Sequence, residues 1–322
     1  MTSSCLMLFP PIFLLFMISS CSTTPDKART DLERRNVAYD SDTFVRKSGE
    51  GDAEAVILFL DAGMDPNATD KYRETALVAA SKSGRQETVE LLLAHGADIE
   101  GRDGKSGGTP LIWAALHGHV ETVRLLLSKG ADLKARENHS GVTALHAATF
   151  KGHSGTVPVL LDEGVDVEIR DEHGRTPLIW AARGDDPETV TLLLDRGARM
   201  EAVEDEYGQS ALMAAAMMGH TAVAQLLLDR GAQIEKKDKA GKTPLIWAAW
   251  YGRAETVELL LARGAKVDAR DDKGRTALWW TRKVQWKENR KKTGEILRNA
   301  GAPPEEEGRE EKSRAHSGPG PR

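Results

Sequence analysis

A few stretches of this chain carry residue types and spacings suited to chemistry. His117-Gly118-His119 reads as a pair of metal-binding imidazoles. Gly101-Arg102-Asp103-Gly104-Lys105-Ser106 ends in Gly-Lys-Ser like a phosphate-cradling loop, but it lacks the G-x-x-x-x-G-K-S spacing and a preceding strand. It is better read as a hairpin tip with one inserted residue, as is 137–142. Asp185-Asp186 and Asp271-Asp272 are paired carboxylates of the kind used in acid–base work, yet both fall in turns, where aspartate is favoured by its own local hydrogen bonds. Asn67-Ala68-Thr69 and Asn138-His139-Ser140 are glycosylation sequons that matter only in a eukaryotic secretory pathway. The two cysteines, Cys5 and Cys21, leave everything after position 21 without a thiol for a disulfide, a thiolate metal site or a nucleophile. No nucleophile, base and orienting group occur together. The chain is therefore expected not to be an enzyme, with no catalytic residue, no metal and no cofactor.

The elements that would position such residues repeat. Thr109-Pro110-Leu111-Ile112-Trp113-Ala114-Ala115 recurs letter for letter at 176–182 and 243–249. Relaxed copies start at Thr75, Thr143, Ser210 and Thr276, so that seven starts lie 34, 34, 33, 34, 33 and 33 residues apart. Within the unit 238–266, Gly241 allows a turn with positive φ. Thr243 is an N-cap and Pro244 occupies the first helical position, where its missing N–H costs nothing. Leu245, Ala248 and Ala249 share one face of a short helix ending at Gly252. A second helix over 253–262 buries Val257, Leu260 and Leu261 and turns at Gly264. Neither helix reaches the roughly 12 residues at which an isolated helix is marginal in water. Each unit must therefore be held by its neighbours.

A period of 33 to 34 residues opening on Thr-Pro-Leu resembles the ankyrin-repeat family. The resemblance implies an all-α repeat solenoid, an ankyrin-repeat stack of helix-turn-helix units joined by β-hairpin-like loops. It spans 42–302 in about eight units with degenerate ends. The opening unit contains Phe44, Gly51 and 55–60; the last begins at Thr276, has a basic middle (282–292) and reads as an end cap. Residues 303–322 are expected to be disordered. In the family, a histidine following Thr-Pro-Leu bridges the helix start. Here it survives only as His146, and Val78, Ile112, Ile179, Met213, Ile246 and Trp279 replace it, so apolar packing is expected in its place. His119, like His153 and His220, occupies the family's Gly-His position at the start of the second helix, a structural role.

The 67-residue spacing of the exact copies adds a second beat. At one first-helix position the units carry Ala79, Trp113, Ala147, Trp180, Ala214 and Trp247, until Trp280 breaks the alternation. Either each indole interdigitates with the neighbouring alanines, or a two-repeat block was duplicated without any packing need.

In front of the ladder, 6–18 is almost wholly apolar. It is too short for a spanning helix of about 20 residues and is interrupted by Pro10-Pro11, but its length suits a secretory signal. Ile18-Ser19-Ser20-Cys21 resembles the lipobox of bacterial lipoproteins, with no basic residue ahead of Leu6. It implies cleavage after residue 20 and acylation of Cys21. Ser22, in place of an acidic residue, implies the outer membrane, and the protein would face the periplasm. Residues 21–41 read as the lipidated cysteine and a flexible tether, with one helical turn around Leu32 and Val37. The alternatives are a plain signal peptide with a chance cysteine, or an uncleaved anchor on a cytosolic-side adaptor.

The resemblance implies function by recognition: a protein-binding scaffold or inhibitor that holds a partner on the concave ankyrin surface, or an accessory subunit of an envelope enzyme. Lys and Arg number 44 against 49 Asp and Glu, a net charge of −5 that does not favour nucleic acid. The membrane would be reached only through acyl chains, and the chain is expected to be monomeric apart from an unidentified protein partner. Residues just before the inter-helix glycine are not needed for the core, and they read Lys82-Ser83, Leu116-His117, Phe150-Lys151, Arg183-Gly184, Met217-Met218 and Trp250-Tyr251. Leu116, Phe150, Met217, Met218, Trp250 and Tyr251 form an expected apolar contact stripe; the alternative is that several fold back onto the stack. Hairpin-tip residues Tyr72, Lys105, His139, His173, Tyr207 and Lys239 form the expected polar rim.

Overall fold

A hydroxyl side chain starts every first helix of the ladder. In the computed structural model, which describes residues 24–284 and 287–303, Thr75, Thr109, Thr143, Thr176, Ser210, Thr243 and Thr276 are all N-caps. The Thr243 hydroxyl accepts the amide of Ile246 at 3.4 Å, and Pro244 follows as the first helical residue. Among the described residues there is no strand. Hairpin pairing takes the form of isolated antiparallel bridges such as Thr69–Thr75, Val203–Ser210 and Arg270–Thr276, and of backbone hydrogen bonds that close single turns, such as Asp238 N–H to the Lys242 carbonyl.

The chain divides into two compact units. The first, ending at His139, contains α1 (Pro25–Arg34), α2 (Ser41–Glu50), α3 (Ala53–Asp61), α4 (Ala76–Lys82), α5 (Gln86–Ala94), α6 (Pro110–Leu116) and α7 (Val120–Ser128). The second begins at Ser140. It contains α8 (Ala144–Lys151), α9 (Thr156–Asp162), α10 (Pro177–Gly184), α11 (Pro187–Asp195), α12 (Ala211–Met218), α13 (Thr221–Asp229), α14 (Pro244–Trp250), α15 (Ala254–Ala262), α16 (Ala277–Trp280), a short 3-10 turn (Thr281–Lys283) and α17 (Lys287–Asn299).

In both units, first helices pack on first helices and second helices on second helices, each pair sharing a core. Val89, Leu92, Val123 and Leu126 are fully buried in one, and Val157, Leu160, Val190, Leu193, Val257 and Leu260 in the other. This is the expected all-α repeat solenoid. His146 makes the expected bridge: its Nδ1 accepts the Thr143 amide at 3.3 Å, so Nε2 carries the proton and donates to the Ile169 carbonyl at 3.1 Å. Where the histidine is missing, Ile179 and Ile246 are buried at 1% and 0% exposure.

The stretch expected to be a tether is different. Residues 25–34 form α1, with Ala28 and Leu32 fully buried against the opening repeat. Tyr39 stacks on Phe59 with ring centroids 5.6 Å apart and donates its hydroxyl to the Ala62 carbonyl, and Arg29 lies 4.7 Å over the Tyr39 ring. An otherwise bare apolar edge at Val56 and Phe59 is what recruits this segment, since a terminal repeat needs a polar outer cover. At the other end α16 shortens to a single turn, while α17 buries Leu297 and pairs Lys292 with Glu255 at 2.5 Å. The signal segment, Cys21 and nearly all of 303–322 lie outside the described residues.

Candidate protein-binding face

The site is built from the hairpin upward. An aspartate at the hairpin base turns its own loop by accepting backbone amides: Asp171 takes those of His173 (2.9 Å) and Arg175 (2.8 Å), and Asp238 those of Ala240 (2.8 Å) and Lys242 (2.7 Å). Its second carboxylate oxygen accepts the indole N–H of the tryptophan on the following helix. The distances are 2.9 Å for Trp113–Asp103 and 3.0 Å for Trp180–Asp171, Trp247–Asp238 and Trp280–Asp271. The large residues of the alternating series are thus pinned to hairpins. In two of the alanine units, the corresponding carboxylates Asp70 and Glu204 accept amides of their own loops instead.

A cation covers each pinned indole. Lys82 lies 4.4 Å from the Trp113 ring, Arg175 4.4 Å from Trp180, and Arg275 4.2 Å from Trp280. Arg175 and Arg275 also pair with Asp171 and Asp271 at 2.7 and 2.8 Å. Lys242, itself buried, sits 5.0 to 5.5 Å from the rings of Trp247, Trp250 and Trp280 and 3.8 Å from Asp238. Such cation–π contacts strengthen as water is excluded.

The carboxylates feel these donors. Burial alone would raise the pKa of Asp103, but the amide and hydroxyl of Ser106, the Trp113 indole and the Lys105 amide outweigh it and pull the group from 3.8 down to about 2. Asp271 is lowered in the same way: burial opposes, and the Arg275 amide, the Trp280 indole and the Arg275 guanidinium prevail.

Several residues of the expected contact stripe fold partly back onto this framework. Phe150 is half-buried and meets Trp180 edge-on at 5.3 Å. Met217 is 8% exposed and joins Met213 and Trp247 in a core cluster, with Met218 and Trp250 packed against it. The expectation that Met217 lies open at the surface is thus corrected: the neighbouring indole has room for it and water is excluded there. Trp250 is half-buried on Trp280, with centroids 4.4 Å apart. Leu116 is half-buried. Tyr251 remains open at 43% exposure, beside Trp247 and Trp250.

The hairpin-tip residues Tyr72 (70% exposed), Tyr207 (50%), His139, His173, Lys105 and Lys239 all face solvent. His117 stacks on Trp113 and its Nδ1 lies 3.0 Å from the Trp113 carbonyl, whereas His119 Nε2 lies 3.0 Å from the Lys82 carbonyl of the preceding repeat. His220 makes the equivalent contact with the Arg183 carbonyl at 3.1 Å. His119 and His220 tie consecutive repeats together, whereas His117 stays within its own repeat.

Sequence reasoning overlooked two things. The hairpin aspartate stands nine residues before Trp180, Trp247 and Trp280, and ten before Trp113, where the loop carries its insertion. That fixed spacing was a readable signal. Arg183 stood in the row of exposed positions but was not picked out, being the only arginine there. It is half-buried, and burial, reinforced by the charge of Arg175, lowers its pKa.

Comparison with known proteins follows the same repeats. The sequence model described as "Ankyrin repeats (3 copies)" matches residues 45–137, 133–204 and 183–271. A putative ankyrin repeat protein, R664, of Acanthamoeba polyphaga mimivirus is 36% identical over 95 residues, 27% of this chain and 58% of that protein. The 2-5A-dependent ribonuclease of Mus musculus is 38% identical over 78 residues, 24% of this chain but 10% of the ribonuclease. The chain thus spans from a tenth to rather more than half of these relatives. Among solved structures, the human ASB11 ankyrin repeat domain aligns with a TM-score of 0.62 and 27% identity, covering 69% of this chain and 98% of that one.

Proposed function

Because the chain belongs to the ankyrin-repeat family, a protein-interaction fold, we propose that it is a non-enzymatic scaffold or inhibitor of the cell envelope, exported and held to a membrane by acyl chains on Cys21. Its partner, a protein, is gripped by the first-helix face of the second unit. The observation that carries the binding surface is the row Phe150, Arg183, Met218, Trp250 and Tyr251 on successive first helices, none of them fully buried. Aromatic, methionine and arginine side chains of this kind concentrate at interface centres. Exposed His173 and Tyr207, at hairpin tips of the same unit, supply the polar rim. Lipobox-like Ile18-Ser19-Ser20-Cys21 supports the anchor, and two or more acyl chains give stable membrane attachment.

The binding face is tested by cross-linking the full chain in an envelope extract and comparing recovery by wild type, Phe150→Ala and Tyr251→Ala. Loss of a central contact is expected to cost about 1–2 kcal/mol or more. Undiminished recovery by both variants refutes the face. The anchor is tested separately by labelled palmitate incorporation into wild type and Cys21→Ala. An unlabelled wild-type chain refutes acylation.

A further inference from the structure

A half-buried cation on the first-helix face that makes no ion pair with any described residue indicates what the partner carries. We propose that Arg183 anchors a carboxylate-reading site in the second unit, and that the partner presents there an acidic side chain flanked by apolar or aromatic ones. This rests on the first-helix face being the binding surface.

Arg183 lies in the last turn of α10, half-buried, and its guanidinium makes no hydrogen bond or ion pair with any described residue. The equivalent cation of the first unit, Lys82, is paired with Glu74 at 3.3 Å. Two carboxylates bear on Arg183, those of Asp171 and Glu204, and both are engaged elsewhere. Asp171 Oδ1 accepts two amides of its own hairpin, and Oδ2 accepts Arg175 Nε and Trp180 Nε1. Glu204 Oε1 accepts the amides of Tyr207 and Gln209, and Oε2 that of Glu206. The hydrogen bonds that shape the hairpins thus hold both carboxylates out of a direct pair with Arg183, although their charges still act on it, and Arg175 adds a second positive charge nearby.

A partly desolvated cation beside a like charge is unfavourable until it is matched. The guanidinium offers a planar fork of donors that fits a carboxylate at two points. Around it stand apolar walls. Trp180 is one helical turn back on the same face, Phe150 packs edge-on against that indole on the preceding helix, and Tyr251, 43% exposed, stands at the end of a later first helix of the same unit. An arginine inside an aromatic border is the composition of an interface hot spot. The chain's net charge of −5 disfavours a polyanion as the occupant, so the carboxylate of a protein segment is the matching group.

The test is selection of random displayed peptides on the immobilised full-length chain, followed by a double-mutant cycle on the strongest binder. Wild type is expected to enrich peptides with Asp or Glu between apolar residues. Changing that acid to its amide is expected to weaken binding to wild type by about tenfold, but to leave binding to Arg183→Gln unchanged within about twofold. Arg183→Gln should retain the wild-type circular dichroism and melting profile. Arg183→Lys keeps the charge without the fork and should fall between. If the acid-to-amide change costs the same in Arg183→Gln as in wild type, or the enriched peptides lack an acid, the carboxylate site is wrong. Should those peptides still depend on Tyr251, the binding face survives without it. Peptides indifferent to both Arg183→Gln and Tyr251→Ala, or no enrichment at all, refute the face and the site together.

Discussion

Replacing Asp103 by Asn measures the hairpin-to-indole pin directly. Asp103 is 7% exposed and accepts five hydrogen bonds. Oδ1 takes the amides of Lys105 (2.8 Å) and Ser106 (2.7 Å), and Oδ2 takes the Gly108 amide, the Ser106 hydroxyl (both 2.7 Å) and the Trp113 indole (2.9 Å). In Asp103→Asn the oxygen can keep the first two, while the amide nitrogen confronts the other donors. The serine hydroxyl can rotate to accept, but the Gly108 and Trp113 N–H groups lose this acceptor at about 1–3 kcal/mol each. The expected loss at pH 7 is about 2–6 kcal/mol, read from urea denaturation followed by tryptophan fluorescence. The pH dependence checks the origin of the effect. The carboxyl has a folded pKa of about 2 against 3.8 unfolded, so its contribution, about 2.5 kcal/mol at 1.36 kcal/mol per unit, is fully present above 3.8 and is lost as pH falls through about 2. At pH 3 about 1 kcal/mol of it has gone, and the gap between wild type and Asp103→Asn should narrow by that amount. A gap equal at pH 7 and pH 3, or a cost at pH 7 below about 0.5 kcal/mol, refutes the reasoning.

Three further substitutions probe the framework. Gly184→Ala would place a Cβ 2.2 Å from the Phe150 carbonyl oxygen, so α8 and α10 must separate; a loss of about 1–3 kcal/mol is expected, and an unchanged denaturation midpoint would contradict that close approach. Leu32→Ala removes a fully buried side chain of α1 and should cost about 2–5 kcal/mol, whereas a tether would show no change in urea. Ala147→Trp, at a position 3% exposed, should lose about 1–3 kcal/mol by overpacking; full retention of stability would make the Trp/Ala alternation a relic of duplication.

The repeat starts were legible because their causes are local. A threonine or serine that caps its own helix three residues on, and a proline tolerated only at the first position, act within one turn. All seven starts in the ladder are N-caps for that reason. Even the irregular repeat obeys the rule with a different residue: Asp185 takes the left-handed position that Gly219 and Gly252 fill elsewhere, which aspartate tolerates better than most side chains. The first helix, α1, reads as tether in the sequence although it opens on Thr24-Pro25 like the repeats and carries Asp26 in its first turn and Arg34 in its last, because so short and polar a segment holds only against a packed neighbour. Only Ala28 and Leu32 are buried on α1, and they become a helix face where Val56 and Phe59 offer a surface.

The candidate face divides along the same line. Which residues stand beside each inter-helix glycine is a matter of spacing, so Phe150, Arg183, Met217, Trp250 and Tyr251 could be lined up from the chain alone. Which of them meet solvent depends on neighbours tens of residues away. Trp247 draws Met217 into the core, Trp180 takes the edge of Phe150, and Tyr251 is left open. The state of Arg183 was the least legible, because it depends on whether Asp171 and Glu204 have oxygens to spare. Capping and period are short-range and were written in the order of residues. Burial and counterion pairing are long-range, and only the packed repeats decided them.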